Sequence, residues 1–112
     1  MDLERISAYR NMWLFVFFDL PVTSKKERKD ATIFRRLLMK DGFTMMQFSV
    51  YTRHCASAEK AAMHVNRIKS YVPSKGMVTI LTVTDKQYGQ IESFFGKLSK
   101  PPAAMPQQLE MF

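Results

Sequence analysis

Hydrophobic and polar residues follow distinct patterns along the chain, and each change of pattern marks a new element. The first pattern is the unbroken apolar run WLFVFF at residues 13–18, which predicts a strand buried on both faces. The run ends in Asp19, and Leu20 and Pro21 follow it. Burying an unpaired carboxylate is costly, so we expect Asp19 to be solvated at the strand's edge, hydrogen-bonded by neighbouring donors, or held for a cation.

The next segment has the spacing of an amphipathic helix. Ser24 and Glu27 fit a capping box, in which both side chains satisfy free amide groups of the first turn. Apolar residues then recur at intervals of three and four, at Ala31, Phe34, Leu37 and Leu38. Lys40 followed by Gly42 is typical of a helix end.

Alternation replaces this spacing between residues 43 and 53, which predicts one long strand or two short strands with a kink. One face would carry Met46, Phe48, Val50 and Thr52, and the other Met45, Gln47, Ser49, Tyr51 and Arg53. The second face is too polar for a core and too aromatic for plain solvent. We therefore predict that Gln47, Ser49 and Tyr51 contact a second subunit.

Three more elements follow. A second helix is outlined by Ala58, Ala61, Val65, Ile68 and Val72. Ser57 would cap this helix, and residues 73–76 would end it. Residues 77–84 are rich in β-branched side chains with little alternation, which favours a central, well-covered strand. The sequence predicts a last, shorter strand at residues 90–95.

The order of these elements predicts the fold class. It is the β-α-β-β-α-β order of a ferredoxin-like α+β sandwich, in which both helices cover one face of the sheet. The other face would carry Trp13, Phe15 and Phe17 beside the polar residues named above. Because large exposed apolar patches mark interaction sites, we expect this face to pair with a second copy of the chain.

Composition and charge narrow the range of functions that we expect for the chain. At 112 residues and 46% hydrophobic, the chain suits one core, which we place in a domain at residues 1–96 with a proline-containing tail at residues 97–112. The balance of 17 Lys+Arg against 10 Asp+Glu gives a net charge of +7. This favours a polyanionic partner such as nucleic acid, the alternative being a merely basic protein.

The cysteine content and the lack of targeting segments point to a compartment. Cys55 is the single cysteine, so it cannot form an internal disulfide, and no Cys/His grouping has the spacing of a zinc site. The first dozen residues lack the pattern of a secretory signal, and no apolar run approaches the ~20 residues that span a bilayer. We therefore expect a protein of the reducing cytoplasm with no membrane partner.

Two motifs, taken together with their spacing, resemble a known family. The strand ending in FDLP at residues 18–21 is followed by a capped basic helix and then by GFTMMQFSVY at residues 42–51. This combination resembles the CRISPR-associated adaptation protein Cas2, and the likeness runs over nearly the whole chain. The closing QQLEMF at residues 107–112, after a proline-rich linker, looks like the form found in type II CRISPR systems.

The resemblance implies a larger assembly. It implies a ferredoxin-like homodimer whose sheets face each other, with the C-terminal strand of each chain added to its partner's sheet. Two dimers of the CRISPR integrase would flank this homodimer, and double-stranded DNA would lie across the assembly before insertion into the CRISPR array. Residues 90–95 and 107–112 would supply the edge contacts. The implied function is spacer acquisition, with DNA bound without sequence preference.

Asp19 is the residue to which the resemblance assigns chemistry. In the family, the strand-end aspartate and its symmetry mate are described as binding one Mg²⁺ per dimer for phosphodiester hydrolysis. Two carboxylates held together repel each other unless a divalent cation or a shared proton relieves them. The alternative is that Asp19 accepts hydrogen bonds from loop amides and shapes the turn. Neither His54 nor His64 has an obvious acid–base partner, and we expect both at the surface.

Nucleic-acid contacts would rest on cations that neutralise phosphates. The predicted contacts are Lys25, Lys26, Arg28, Arg35, Arg36 and Arg53. A second function class is a magnesium-dependent endonuclease or endoribonuclease, toxin-like in its action on RNA or DNA, which would use the paired Asp19 carboxylates. A third function class is a small-molecule regulatory domain on the same fold. The sequence contains no glycine-rich ligand loop that would support it.

Overall fold

The apolar run near the start of the chain forms a strand in the interior of the sheet. In a computed structural model, which describes residues 10–96, β1 (Met12–Asp19) pairs antiparallel with β3 (Val50–Cys55) and with β4 (Met77–Thr84). β2 (Thr44–Gln47) pairs with the other edge of β3, so the order is β2-β3-β1-β4. With α1 (Lys25–Lys40) and α2 (Ala58–Lys69) between the strands, the chain has the predicted ferredoxin-like α+β fold.

Both main helices begin at the residues that the sequence predicts. Ser24 Oγ accepts a 3.0 Å hydrogen bond from the Glu27 amide, and Glu27 Oε1 accepts one of 3.0 Å from the Ser24 amide. Ser57 Oγ accepts from the Lys60 amide at 3.2 Å. These bonds satisfy amides that the first turn of a helix leaves free. α2 ends at Lys69, earlier than the apolar spacing up to residue 72 predicts.

The core lies between the helices and one face of the sheet. Alternate residues of β1 point toward the helices, and these are Leu14, Val16 and Phe18. They form one cluster with Phe34 and Leu38 of α1 and Ile68 of α2. Within residues 10–96, no helix is long and apolar enough to cross a membrane.

Residues 43–53 form two strands, and their faces differ from the simple alternation. The register shifts between Met45 and Gln47, and Ser49 has a left-handed φ of 68° in the turn that joins β2 to β3. Tyr51 pairs with Val16 and is 2% exposed in the core. The prediction that Tyr51 shares an outward face with Gln47 is therefore wrong, because a bulge and a turn separate the two residues and reverse the alternation.

The end of the domain also departs from the predictions. β4 lies at an edge of the sheet in the described chain, and so is not the central strand that its β-branched composition suggests. A short helix, α3 (Asp85–Tyr88), follows β4 directly. Residues 90–95 are not a strand of this chain, apart from an isolated bridge residue at Phe95. The predicted tail at residues 97–112 lies outside the described residues.

Candidate nucleic-acid interface and acidic site

Asp19 is the last residue of β1, where it pairs with Met77 at the start of β4. The residue before Met77 is Gly76, which has φ +94°. A Cβ on Gly76 would lie 2.7 Å from the Asp19 carbonyl oxygen, a distance that side chains do not tolerate. A tight glycine turn therefore packs against the backbone of Asp19 and fixes where the strand ends.

The carboxylate of Asp19 is exposed, and within residues 10–96 it accepts no hydrogen bond and forms no ion pair. It borders a surface depression of about 270 Å³ whose apolar walls include Phe17, Phe48 and Met77. This geometry disfavours the alternative in which loop amides hold Asp19 to shape the turn. No group of three His, Cys, Asp or Glu residues in the described part of the chain could hold a metal ion. Among the described residues that line the depression, Asp19 is the one carboxylate.

The sheet face opposite the helices, which we call the open face, is rich in aromatic residues as predicted. Trp13, Phe15 and Phe17 lie on it in β1. Their neighbours across the sheet are Val50, Thr52 and His54 in β3, and Thr79, Leu81 and Val83 in β4. Leu81 is 48% exposed, and no helix of the described chain covers the end of this face next to Asp19.

The residues predicted for a subunit interface are not all on the open face. Gln47 is exposed and pairs with Val50, whose side chain is on the open face. Ser49 lies in the β2–β3 turn, and its carbonyl accepts a 3.1 Å hydrogen bond from the Phe18 amide. The Tyr51 ring instead packs against Phe18 in the core, at 5.5 Å between centroids. Burial raises the pKa of the Tyr51 hydroxyl.

Four of the six cations predicted to bind nucleic acid contact other groups of the same chain. Lys26 pairs with Asp30 at 3.1 Å, and Arg28 donates to the backbone carbonyls of Val22 and Thr23. Arg35 lies over the Phe48 ring, 5.9 Å from its centroid. Arg53 donates to the His54 carbonyl at 2.9 Å and packs against Gly42, where any added Cβ would lie 3.1 Å from the Arg53 Cζ.

The other two cations belong to a row of exposed charges on α1. Lys25, Lys29, Arg36 and Lys40 are exposed and form no ion pair within the described residues. At about 100° per residue, these four positions fall within about 60° of one another around the helix axis, and they span about 22 Å along it. We call this row the α1 stripe. The sequence shows Lys29 and Lys40 as plainly as Lys25, but only the structure shows which cations form no ion pair with another described residue.

An acid–histidine pair that the sequence reasoning missed lies between the two main helices. His64 is buried on α2, and its Nδ1 is 3.1 Å from Oδ2 of Asp41, the C-cap residue that follows α1. Arg67 donates to the other oxygen of Asp41. The prediction that His64 is a surface residue without a partner is wrong. Its spacing from Ala61 and Ile68, which places it on the buried stripe of α2, is the signal that could have found it.

The hydroxyl of Tyr71 lies beside this pair. Its oxygen is buried and makes no hydrogen bond within the described part of the chain. Burial, together with the negative charge of Asp41, raises the pKa of Tyr71 to about 12. Burial likewise raises the pKa of the Cys55 thiol, which makes this cysteine a poor nucleophile.

Comparison with known proteins supplies a family. The family described as "CRISPR associated protein Cas2" matches residues 12–91. A protein of Flavobacterium psychrophilum named "CRISPR-associated endoribonuclease Cas2" is 47% identical over 108 residues, covering 96% of this chain and 94% of the relative. Proteins of the same name from Parvibaculum lavamentivorans and Paracidovorax avenae are 50% and 43% identical, covering 90% and 96% of this chain and 100% and 99% of their own lengths.

Proposed function

The chain belongs to the CRISPR-associated Cas2 family, and from this premise we propose that it is the spacer-acquisition subunit that holds double-stranded DNA for insertion into a CRISPR array. In this role a homodimer bridges two dimers of the CRISPR integrase and binds the DNA fragment through phosphate contacts. The integrase carries out the joining chemistry, so the bridging role requires no hydrolysis by this subunit.

The α1 stripe is the observation that carries this proposal. Four exposed cations along one side of a single helix, none of which forms an ion pair with another described residue, present an extended positive surface that is well suited to the backbone of a nucleic acid. Contacts of this kind read charge and shape, and they carry no sequence information. The net charge of +7 adds a favourable long-range attraction.

The open face supports the homodimer. Phe17, Leu81 and Met77 are exposed there, around the depression beside Asp19 and the adjoining part of β4. Burying these side chains against a second copy would remove apolar surface from water, which is favourable. Within the described residues β4 is an edge strand of the sheet, and the C-terminal segment of the partner could add to this edge.

Two finer parts of the proposal rest on sequence. The closing residues 107–112 support assignment to type II CRISPR systems, and a free, buried Cys55 fits a reducing cytoplasm. Contacts between the tail and the integrase belong to the same proposal.

The experiment combines hydrodynamics with DNA binding. Sedimentation equilibrium of the full chain should give a dimer mass. Fluorescence anisotropy with two duplexes of equal length and unrelated sequence should give equal affinities that fall steeply as salt is raised. A preference of more than about tenfold for one sequence, or an affinity that is insensitive to salt, would contradict phosphate-based binding.

A second candidate function is a magnesium-dependent endoribonuclease, which is favoured by the exposed carboxylate of Asp19, without a partner among residues 10–96. The relatives bear the name endoribonuclease. Mg²⁺ commonly binds one or two carboxylates and completes its shell with water and phosphate oxygens, so Asp19 from each of two chains would supply a two-carboxylate site, of which each chain contributes one carboxylate. When bound, the ion would polarise a phosphate and activate a water molecule.

A further inference from the structure

The short helix α3 meets β1 at the end of the open face that is farther from Asp19. Trp13 Nε1 donates a 2.7 Å hydrogen bond to Asp85 Oδ1, between residues 72 positions apart. The Trp13 and Tyr88 rings stack with their centroids 3.7 Å apart and their planes 6° from parallel. The Asp85 amide donates to the Asn11 carbonyl at 2.9 Å. We call Trp13, Asp85 and Tyr88 the clamp.

The clamp holds a helix that could not stand alone. α3 has four residues, far fewer than the ~12 that an isolated helix needs in water. Thr84 and Gln87 close its first turn as a capping box. Tyr88 also approaches Phe15 at 5.8 Å, which helps to leave Phe15 6% exposed although it lies on the open face. The position of α3 therefore depends on its contacts with β1.

The segment that leaves the clamp forms no strand of the described sheet, apart from the bridge residue Phe95. Residues 91–94 have no regular structure, and Ile91 and Phe94 are exposed. Gly89, the residue after Tyr88, donates to the Asp85 carbonyl at 3.0 Å, so the chain departs from a fixed point. A segment that starts from a fixed point loses less conformational entropy when it binds than one that starts from a flexible linker.

We propose that the clamp is a positioning device that aims residues 90–95 at the β4 edge of a second copy of the chain. This inference rests on the homodimer of the proposed function and adds the residues that prepare the chain for it. Trp13 and Tyr88 act through the direction of the segment and need not touch the partner. Removing the clamp should leave the fold intact and weaken the dimer.

The test uses variant pairs that differ in one contact each. Tyr88→Ala removes the stacked ring, and its matched control Tyr88→Phe keeps it. Asp85→Ala removes the acceptor for the indole, and Asp85→Asn keeps an acceptor oxygen. Sedimentation equilibrium should show the dimer dissociation constant raised about tenfold by each alanine variant and within about twofold of wild type in each control.

A second measurement reports on the clamp itself. Trp13 is the single tryptophan, so its emission and near-ultraviolet circular dichroism report on the stack with Tyr88. Both signals should change in Tyr88→Ala and stay close to wild type in Tyr88→Phe. Cooperative thermal unfolding in each variant checks that it is folded. If Tyr88→Ala does not fold, the comparison of Asp85→Ala with Asp85→Asn tests the role of the clamp.

The outcomes separate the two proposals. A wild-type chain that remains monomeric overturns both the proposed function and this inference. A wild-type dimer whose dissociation constant is unchanged in Tyr88→Ala and Asp85→Ala overturns the role of the clamp alone. A tighter dimer in these variants also overturns it, because the clamp would then hold the segment away from its partner.

Discussion

The imidazole of His64 and the carboxylate of Asp41 lie 3.1 Å apart, with their side chains 6% and 5% exposed. They join the end of α1 to the middle of α2, and Arg67 occupies the second oxygen of Asp41. A carboxylate buried this deeply is tolerated because both of its oxygens have partners. The pair thus connects the two helices that cover the core.

Replacing Asp41 should be costly. Asp41→Ala leaves a buried imidazole and a guanidinium without their acceptor, and we expect a loss of about 3 kcal/mol in the free energy of unfolding. Urea denaturation followed by circular dichroism measures this loss. The control is Asp30→Ala, which breaks the exposed Lys26–Asp30 pair and should cost no more than about 0.5 kcal/mol. Similar losses in the two variants would contradict the structural role of Asp41.

Tyr71 should make the protein sensitive to high pH. Its pKa is raised to about 12, above an ordinary value of 10.0. Between these pH values the unfolded tyrosine releases its proton while the folded one keeps it, so stability falls as pH rises through this range. Tyr71→Phe should reduce this alkaline loss in thermal melts from pH 9 to pH 12. At pH 7 it should be neutral or slightly stabilising, because the hydroxyl it removes has no hydrogen-bond partner within residues 10–96.

Glu27 should contribute stability that is lost in acid. The Thr23 hydroxyl, then the Ser24 amide, hold the pKa of Glu27 below its ordinary value of 4.5. A lowered pKa in the folded state stabilises the protein above the unfolded pKa, and this contribution disappears as pH falls through the folded value. The difference in melting temperature between wild type and Glu27→Gln should therefore shrink below about pH 4.5. Glu59→Gln, in the first turn of α2, is the control and should show a smaller difference.

A structural feature of this protein is predictable from sequence when the residues that cause it are neighbours in the chain. The caps at Ser24 and Ser57 and the spacing of α1 are local, and these predictions are confirmed. The apolar run of β1 is also confirmed as a strand, but the prediction that it is buried on both faces is wrong, because Phe17 on the open face is 37% exposed. The shared outward face of Gln47 and Tyr51 is predicted wrongly. The bulge between Met45 and Gln47 places Gln47 on the open face, whereas Tyr51 pairs with Met45 on the side that packs against the core.

The candidate site likewise has features that neighbouring residues determine and features that depend on distant contacts. Asp19 is recognisable from its place at the end of an apolar strand, before Leu20 and Pro21. Its lack of a hydrogen-bond partner within the described residues is a three-dimensional fact that the pattern does not contain. Likewise, the contact of Trp13 with Asp85 joins residues 72 positions apart, and no periodicity within either segment indicates it.

Asp19→Asn separates the two candidate functions. The change removes a charge from an exposed carboxylate that has no partner in the described chain, so stability should change by less than about 0.5 kcal/mol. If the chain is a magnesium-dependent nuclease, cleavage of labelled RNA should fall by at least about a hundredfold, while dimerisation and DNA binding persist. Cleavage that survives the change, in protein purified alongside wild type, would come from another site or from a contaminant.

Neutralising the α1 stripe should weaken DNA binding in a way that salt reveals. The variant Lys25→Ala, Lys29→Ala, Arg36→Ala removes three exposed cations from one side of α1. If each of them neutralises a phosphate, the slope of log affinity against log salt should become shallower by about 2 to 3, and affinity near physiological salt should fall at least about tenfold.

A control variant with the same change in net charge separates the effect of where the cations lie from the effect of the total charge. Lys60, Lys75 and Lys86 are exposed and lie on α2, before β4 and on α3, so their combined replacement by alanine alters three separated points. Long-range attraction should weaken equally in both triple variants, because the net charge falls from +7 to +4 in each. The stripe variant should therefore bind more weakly than the control. Equal affinities and equal salt slopes in the two variants would place the DNA on some other surface of the protein.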